Sequence, residues 1–283
     1  AATKPASSAA SNMYPDRRVS LPTSTRPPSG ASTRAAYGAT AIAEHSTTLA
    51  DPIGRFHRTF DFMFTFVFGA LDHALAASRR LHRRHTGITG LMPDDAGPFA
   101  AGSGYLANEA SALLWVHATL IDTALVAHNL VLTPFSDGDR ERYYAESKVF
   151  AALFGIPQEL LPPDWAAFEA YNRAMWASET LTVTPAARAI VEQLLIRGAR
   201  PWLRLPKWYR CVTAHLLPER LRAEFGLLYG DAERHTAEAA IDAAEWGFGI
   251  TRVLSYQAVD ALTDKSLVRL LRERRHLVAE ANA

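Results

Sequence analysis

Leu113-Leu114-Trp115-Val116-His117-Ala118-Thr119-Leu120-Ile121-Asp122 carries the spacing of a helix. Large apolar groups fall at 113, 114, 120 and 121, so they gather on one side of a 3.6-residue turn and do not alternate between two faces. The pattern runs from about Asn108 to Leu132. Thr133-Pro134 closes it, because proline lacks the amide a helix needs and pushes the residue before it out of helical geometry. His117 lies on the most apolar face of this helix.

Toward the N-terminus, Asp51-Pro52 pairs a good helix cap with a residue suited to the first helical position. A helical pattern follows to Arg84, and Gly87 and Gly90 end it. Phe56 to Ala77 is the most apolar part of this pattern, but Arg58, Asp61, Asp72 and His73 interrupt it. A spanning helix needs about twenty nearly uncharged residues, so no membrane span is expected and Phe62 to Phe68 reads as a buried core helix. A Pro/Gly/Asp loop from Met92 to Gly104 joins the two long helices.

Toward the C-terminus, helical patterns cover about 138–154, 164–180, 185–197, 206–216, 218–228, 231–247 and 251–279. Thr184-Pro185 repeats the cap-and-proline start, and Gly198 is placed to stop the helix after it. No run alternates with a period of two between hairpin turns. The expected architecture is all-α: one multi-helix globular domain over 51–283.

Residues 1–50 have a different character, rich in Ala, Ser, Thr and Pro, with Asp16 and Glu44 the only acids. Few large apolar groups are there to offset ordering entropy, which predicts a flexible N-terminal arm. An Arg-bearing, acid-poor start also has the character of an organelle transit peptide. No secretory apolar core appears there, and the single cysteine, Cys211, fits a reducing compartment, so the cytoplasm is the expected location.

Composition and motif content then exclude several functions. A chain that is 48% hydrophobic and 21% charged, with net charge +1, gives no reason to expect nucleic acid as a partner. One cysteine excludes an intramolecular disulfide, a Cys-based zinc site and Cys-x-x-Cys-His haem attachment. Gly102-Ser103-Gly104 follows no strand and lacks a third glycine, so it is no dinucleotide loop. Phosphate-binding loop, His-Glu-x-x-His, Gly-x-Ser-x-Gly and paired Glu-x-x-His motifs are all missing. Chemistry therefore has to come from the histidines.

A buried neutral imidazole with one free nitrogen suits the axial position of a haem iron. A core histidine bonded to a backbone carbonyl fits the spacing around His117 equally well. His82 and His85 share a face near the end of the first long helix, among Arg79, Arg80, Arg83 and Arg84. Those arginines suit the negative end of the helix dipole, and they equally suit haem propionates.

Three segments carry a family resemblance. The first is Asp72-His73-Ala74 followed by Arg80-Leu81-His82-Arg83-Arg84-His85-Thr86-Gly87-Ile88-Thr89-Gly90. The second is Tyr105-Leu106-Ala107-Asn108-Glu109 followed by Leu114-Trp115-Val116-His117-Ala118-Thr119-Leu120. The third is Tyr171-Asn172, then Leu181-Thr182-Val183-Thr184-Pro185-Ala186-Ala187-Arg188. Over about residues 51 to 230 the chain resembles the MpaB/rubber-oxygenase family, and the Leu-Trp-Val-His segment is the most specific part.

The resemblance implies a helical fold holding a non-covalent haem b, with His117 as axial ligand to the iron. It puts His85 on the signature of the preceding helix, to line the distal side, act as a sixth ligand at rest or hydrogen-bond bound oxygen, gives Arg83 or Arg84 to a propionate or the distal pocket, and leaves His82 as a further cofactor contact. It implies O₂-dependent, dioxygenase-like attack on a carbon–carbon double bond of an apolar, isoprenoid-like substrate. The region comparable to that of the rubber oxygenase's distal glutamate, Phe64 to Gly69, contains no acid, and Asp61 and Asp72 flank it. A haem carrier or sensor, or a haem-free helical scaffold, is the alternative on the same fold.

Overall fold

The computed structural model describes residues 51–197 and 205–262. The expected arm, 1–50, lies outside the described residues, as do Gly198 and the end of the expected 251–279 helix.

Two helices open the described chain, α1 (Pro52–Phe68) and α2 (Leu71–Thr86). Asp51 caps α1 as its residue type predicts, accepting from the Gly54 amide at 3.0 Å, and Pro52 fills the first turn. The single helix expected over 51–84 is broken at Gly69-Ala70. Gly69 is extended (φ −73°, ψ 160°) although its amide still reaches the Thr65 carbonyl at 3.1 Å. A side chain at Gly69 would meet that carbonyl, so only glycine lets the chain leave α1 here. α2 then folds back along α1.

The break also changes the reading of the phenylalanine run. Phe66 is buried and edges against Phe150 and Phe154, with ring centroids 5.8 and 5.6 Å away. Phe56, Phe60, Phe64 and Phe68 lie on the other side of α1 and are exposed, each ring in contact with the next, stacked between Phe56 and Phe60 and tilted in the other two pairs. Half of the expected core helix is therefore surface.

Two short strands follow, β1 (Thr89–Leu91) and β2 (Gly104–Leu106), antiparallel with Gly90 opposite Tyr105. Three-residue strands are too short to show alternation, which is why the sequence reads as loop. The segment between them is not loose: Met92, Ala96 and Phe99 pack with Tyr105 into a small core of their own.

The long apolar segment is α3 (Ala110–Val131), and α4 (Asp137–Leu153) packs along it. Ser136 and Asp139 close a reciprocal capping box at the start of α4. α5 (Trp165–Ala177) packs on α4, and Thr184 caps α6 (Pro185–Val191), which continues as a π-helical turn over Glu192–Arg197. α7 (Lys207–Leu216), α8 (Glu219–Phe225) and α9 (Asp231–Leu262) complete the described chain. The patterns expected at 231–247 and from 251 are one continuous helix, α9, which packs on α7 and α3. The fold is all-α apart from the one small hairpin.

Among the described residues α3, and not the Phe-rich segment singled out above as the most apolar, is the one helix long and apolar enough to cross a membrane. One side of it is core: Leu113 and Leu114 pack with Ala151, Ile156 and Leu161, Trp115, Ala118 and Ile121 pack with Tyr144, Phe168 and Met175, and His117, Leu125 and Val126 are buried as well.

Candidate functional site

His117 sits midway along α3 with no exposed surface. Its Nε2 lies 3.1 Å from the Ser147 carbonyl of α4. A carbonyl only accepts, so Nε2 carries the proton and donates. Nδ1 is buried and has no hydrogen-bond partner among the described residues. Burial pushes the imidazole below its ordinary pKa, an effect that the Ser147 bond opposes. The group is thus a neutral imidazole in one fixed tautomer, with a lone pair on Nδ1. Phe150 stands beside it with ring centroids 5.9 Å apart, and the same Phe150 edges against Phe66 of α1. Ser147 is also buried, its hydroxyl donating to the Tyr144 carbonyl at 2.7 Å.

This geometry tests whether haem fits. An axial histidine needs one unprotonated nitrogen, and its other ring N–H is usually held by a carbonyl or carboxylate that fixes the ring. His117 meets both conditions through an otherwise unexplained buried nitrogen. Among the described residues no group of three or more His, Cys, Asp or Glu is arranged for a metal ion. A haem iron draws its equatorial donors from the porphyrin, so one histidine is the donor set it requires of the protein.

His82, Arg83, Arg84 and His85 come together at the C-terminal end of α2. Asn108, just before α3, ties this end down: its Nδ2 donates to the His82 carbonyl at 3.0 Å and to Thr86 Oγ1 at 3.1 Å. His85 is half-buried, and desolvation pushes its pKa down, followed by the charges of Arg84 and His82, against a hydrogen bond with Asn108. His82, Arg83 and Arg84 are exposed. His117 finds its neighbours on α4, whereas His85 finds its own on α2 and ahead of α3. Three participants escaped the sequence reading: Ser147, Asn108 as a tether, and Arg55 of α1, which lies beside Arg84. Ser147 acts through its backbone, which leaves no trace in residue type. Arg55 is brought in only by the fold-back at Gly69.

The chain carries a helical oxygenase catalytic domain. Residues 25–246 match the family described as the catalytic domain of the ER-bound oxygenase mpaB/B′ and rubber oxygenase, and the chain belongs to that family. The match begins inside the segment expected to be an arm. No curated protein and no solved structure matches the chain.

Proposed function

We propose that the chain is a haem b-dependent oxygenase that acts with O₂ on an apolar, unsaturated, isoprenoid-like substrate, with His117 as the axial ligand. The observation that carries this reading is the His117 ring, fully buried, fixed by Ser147 and holding an unpartnered Nδ1 inside an oxygenase-family domain. Haem, when bound, supplies ferrous iron for O₂ binding. The protein's own share is to hold the imidazole neutral and oriented and to keep water from it with Phe150, Phe66 and Phe154. His85, Arg84, Arg83 and His82 belong to the distal side or the cofactor edge in this reading. An apolar surround favours a hydrocarbon over a charged substrate.

A haem-free scaffold is the second reading, favoured by one observation: the His117 ring is entirely enclosed. An absorption spectrum of the purified protein separates the two. A Soret band that His117→Ala abolishes, with far-ultraviolet helicity retained, supports axial ligation. A band that survives His117→Ala unchanged removes the assignment, and no band after reconstitution supports the scaffold. Incubation with ¹⁸O₂ and a panel of terpenoid and fatty-acid alkenes then tests the reaction. Label in the product supports an oxygenase, whereas a Soret band with no consumption of alkene or O₂ supports a carrier or sensor.

A further inference from the structure

α1 turns an apolar face to solvent that the core does not use. Phe56, Phe60, Phe64 and Phe68 follow at four-residue intervals, and Ile53 and Val67 fall on the same side, all within an arc of about 120° around the helix. All six are exposed, Phe68 to 75%. The four rings touch in series, with centroids 5.7, 4.6 and 5.2 Å apart, so they form one ridge about 18 Å long and not scattered side chains. Apolar groups exposed singly are ordinary, but a contiguous patch on the order of several hundred Å² marks a contact surface.

The ridge ends at the fold-back, and α2 adds charge to it. Leu71 and Leu75 are exposed directly past Gly69-Ala70, and Arg79 is the next residue at four-residue spacing on the same face. Arg80 and Arg83 are exposed beside it. The negative end of the helix accounts for cations in its last turn, which holds Arg83, Arg84 and His85, but Arg79 and Arg80 precede that turn. The sequence has no acid between Asp72 and Asp94, and among the described residues no ion pair engages Arg79 or Arg80. The hairpin therefore joins an exposed apolar ridge to exposed cations that the helix end does not explain.

We propose that this hairpin docks the chain on an anionic lipid surface. The Phe ridge enters the boundary between headgroups and acyl chains, and the arginine stems lie along that boundary while their guanidiniums reach lipid phosphates. Charge complementarity selects this occupant: an anionic leaflet answers both the ridge and the cations of Arg79 and Arg80, whereas a purely apolar partner answers the ridge alone. α1 lies on the surface and does not cross it, because Arg58 and Asp61 interrupt its length. The surface uses neither His117 nor the α2 residues assigned above to the cofactor, so it stands apart from the haem reading.

The experiment measures flotation of the full chain with vesicles of phosphatidylcholine alone and of phosphatidylcholine mixed with phosphatidylserine. Paired variants Phe60→Ser/Phe64→Ser and Arg79→Gln/Arg80→Gln are compared with Leu228→Ser, which alters an exposed leucine between α8 and α9. Wild type should bind the mixed vesicles at least about tenfold more tightly than the neutral ones, an advantage that high salt and the arginine pair both remove. The phenylalanine pair should weaken binding to the mixed vesicles by at least about tenfold, and Leu228→Ser should bind as wild type does. Phe64→Trp keeps an aromatic ring on the ridge and gives a second readout. Lipids brominated in the acyl chain should quench its emission beyond the quenching of wild type. Wild type that floats with neither vesicle, binding that the phenylalanine pair leaves unchanged, or no added quenching in Phe64→Trp would overturn the proposal. So would a dimer in sedimentation velocity that the phenylalanine pair makes monomeric while vesicles go unbound, since the ridge then belongs to a second copy.

Discussion

Replacing His117 with leucine separates what the imidazole does for the fold from what it does for a ligand. Leucine is similar in volume, so no large cavity is expected. The change removes the Nε2 bond to Ser147, a net loss of about 1 kcal/mol. The Ser147 carbonyl lies within α4 and keeps its helical amide partner. The change also removes the unpartnered Nδ1, whose desolvation weighs against the native state by about 1–3 kcal/mol. The haem-free variant should therefore be between neutral and about 2 kcal/mol more stable than wild type at pH 7.5. The pH dependence carries a second signature. His117 has its pKa lowered in the folded state, so below about pH 6.5 the unfolded chain binds a proton that the folded chain refuses. Stability is fully present above the unfolded value and falls with pH toward the lower folded value, by at most about 1.4 kcal/mol per pH unit. The leucine variant should lose this component of the acid sensitivity. Urea denaturation of both haem-free proteins at pH 7.5 and 5.5 provides the measurement. A variant destabilised by more than about 3 kcal/mol at pH 7.5, or one equally acid-sensitive, would refute the account of the ring.

Further outcomes follow from other parts of the fold. Arg220 donates to the carbonyls of Trp176, Ser178 and Leu181 and pairs with Glu224 at 2.6 Å, which pins the end of α5 to α8. Its guanidinium is partly exposed, so Arg220→Ala should cost about 2–4 kcal/mol in chemical denaturation, and lysine, lacking the planar fork, should not restore it. Gly97 has φ +55° and a side chain there would press on the Glu179 carbonyl, so Gly97→Ala should destabilise by more than about 1–2 kcal/mol; an unchanged melting temperature would count against this packing. Under the proposed haem reading, His85→Ala, at a half-buried ring beside Asn108, should leave the global fold intact and alter the Soret position or the O₂ complex once haem is added.

The helices were legible because their signals are local. Asp51-Pro52 and Thr184-Pro185 mark helix starts by side chains that bond amides three residues on, and the structure uses both. The break at Gly69 was not legible, since a glycine inside an apolar periodic run is tolerated about as readily as it is used to stop a helix. The orientation of the phenylalanines was lost with it: every second residue from 60 to 68 is Phe, but helical geometry sends only Phe62 and Phe66 inward. His117 was legible as buried because its flanking residues are apolar at helical spacing. Its hydrogen-bond partner was not, because Ser147 is thirty residues away and contributes a main-chain oxygen.

The apolarity that gives α3 the length and composition of a membrane span has a different consequence once α4 covers it. A histidine in such a helix cannot carry charge without losing its hydration, so burial keeps it neutral and leaves one nitrogen lone pair free of protons. The turn-by-turn match to α4 then decides which nitrogen. Ser147 faces His117 because α4 starts at its capping box on Ser136, and a carbonyl at that position fixes Nε2–H and leaves the lone pair on the buried Nδ1. Which nitrogen of His117 keeps its lone pair therefore depends on where α4 begins as well as on His117 itself. A shift of α4 by one residue would move the Ser147 carbonyl by about 100° around its axis and release the tautomer.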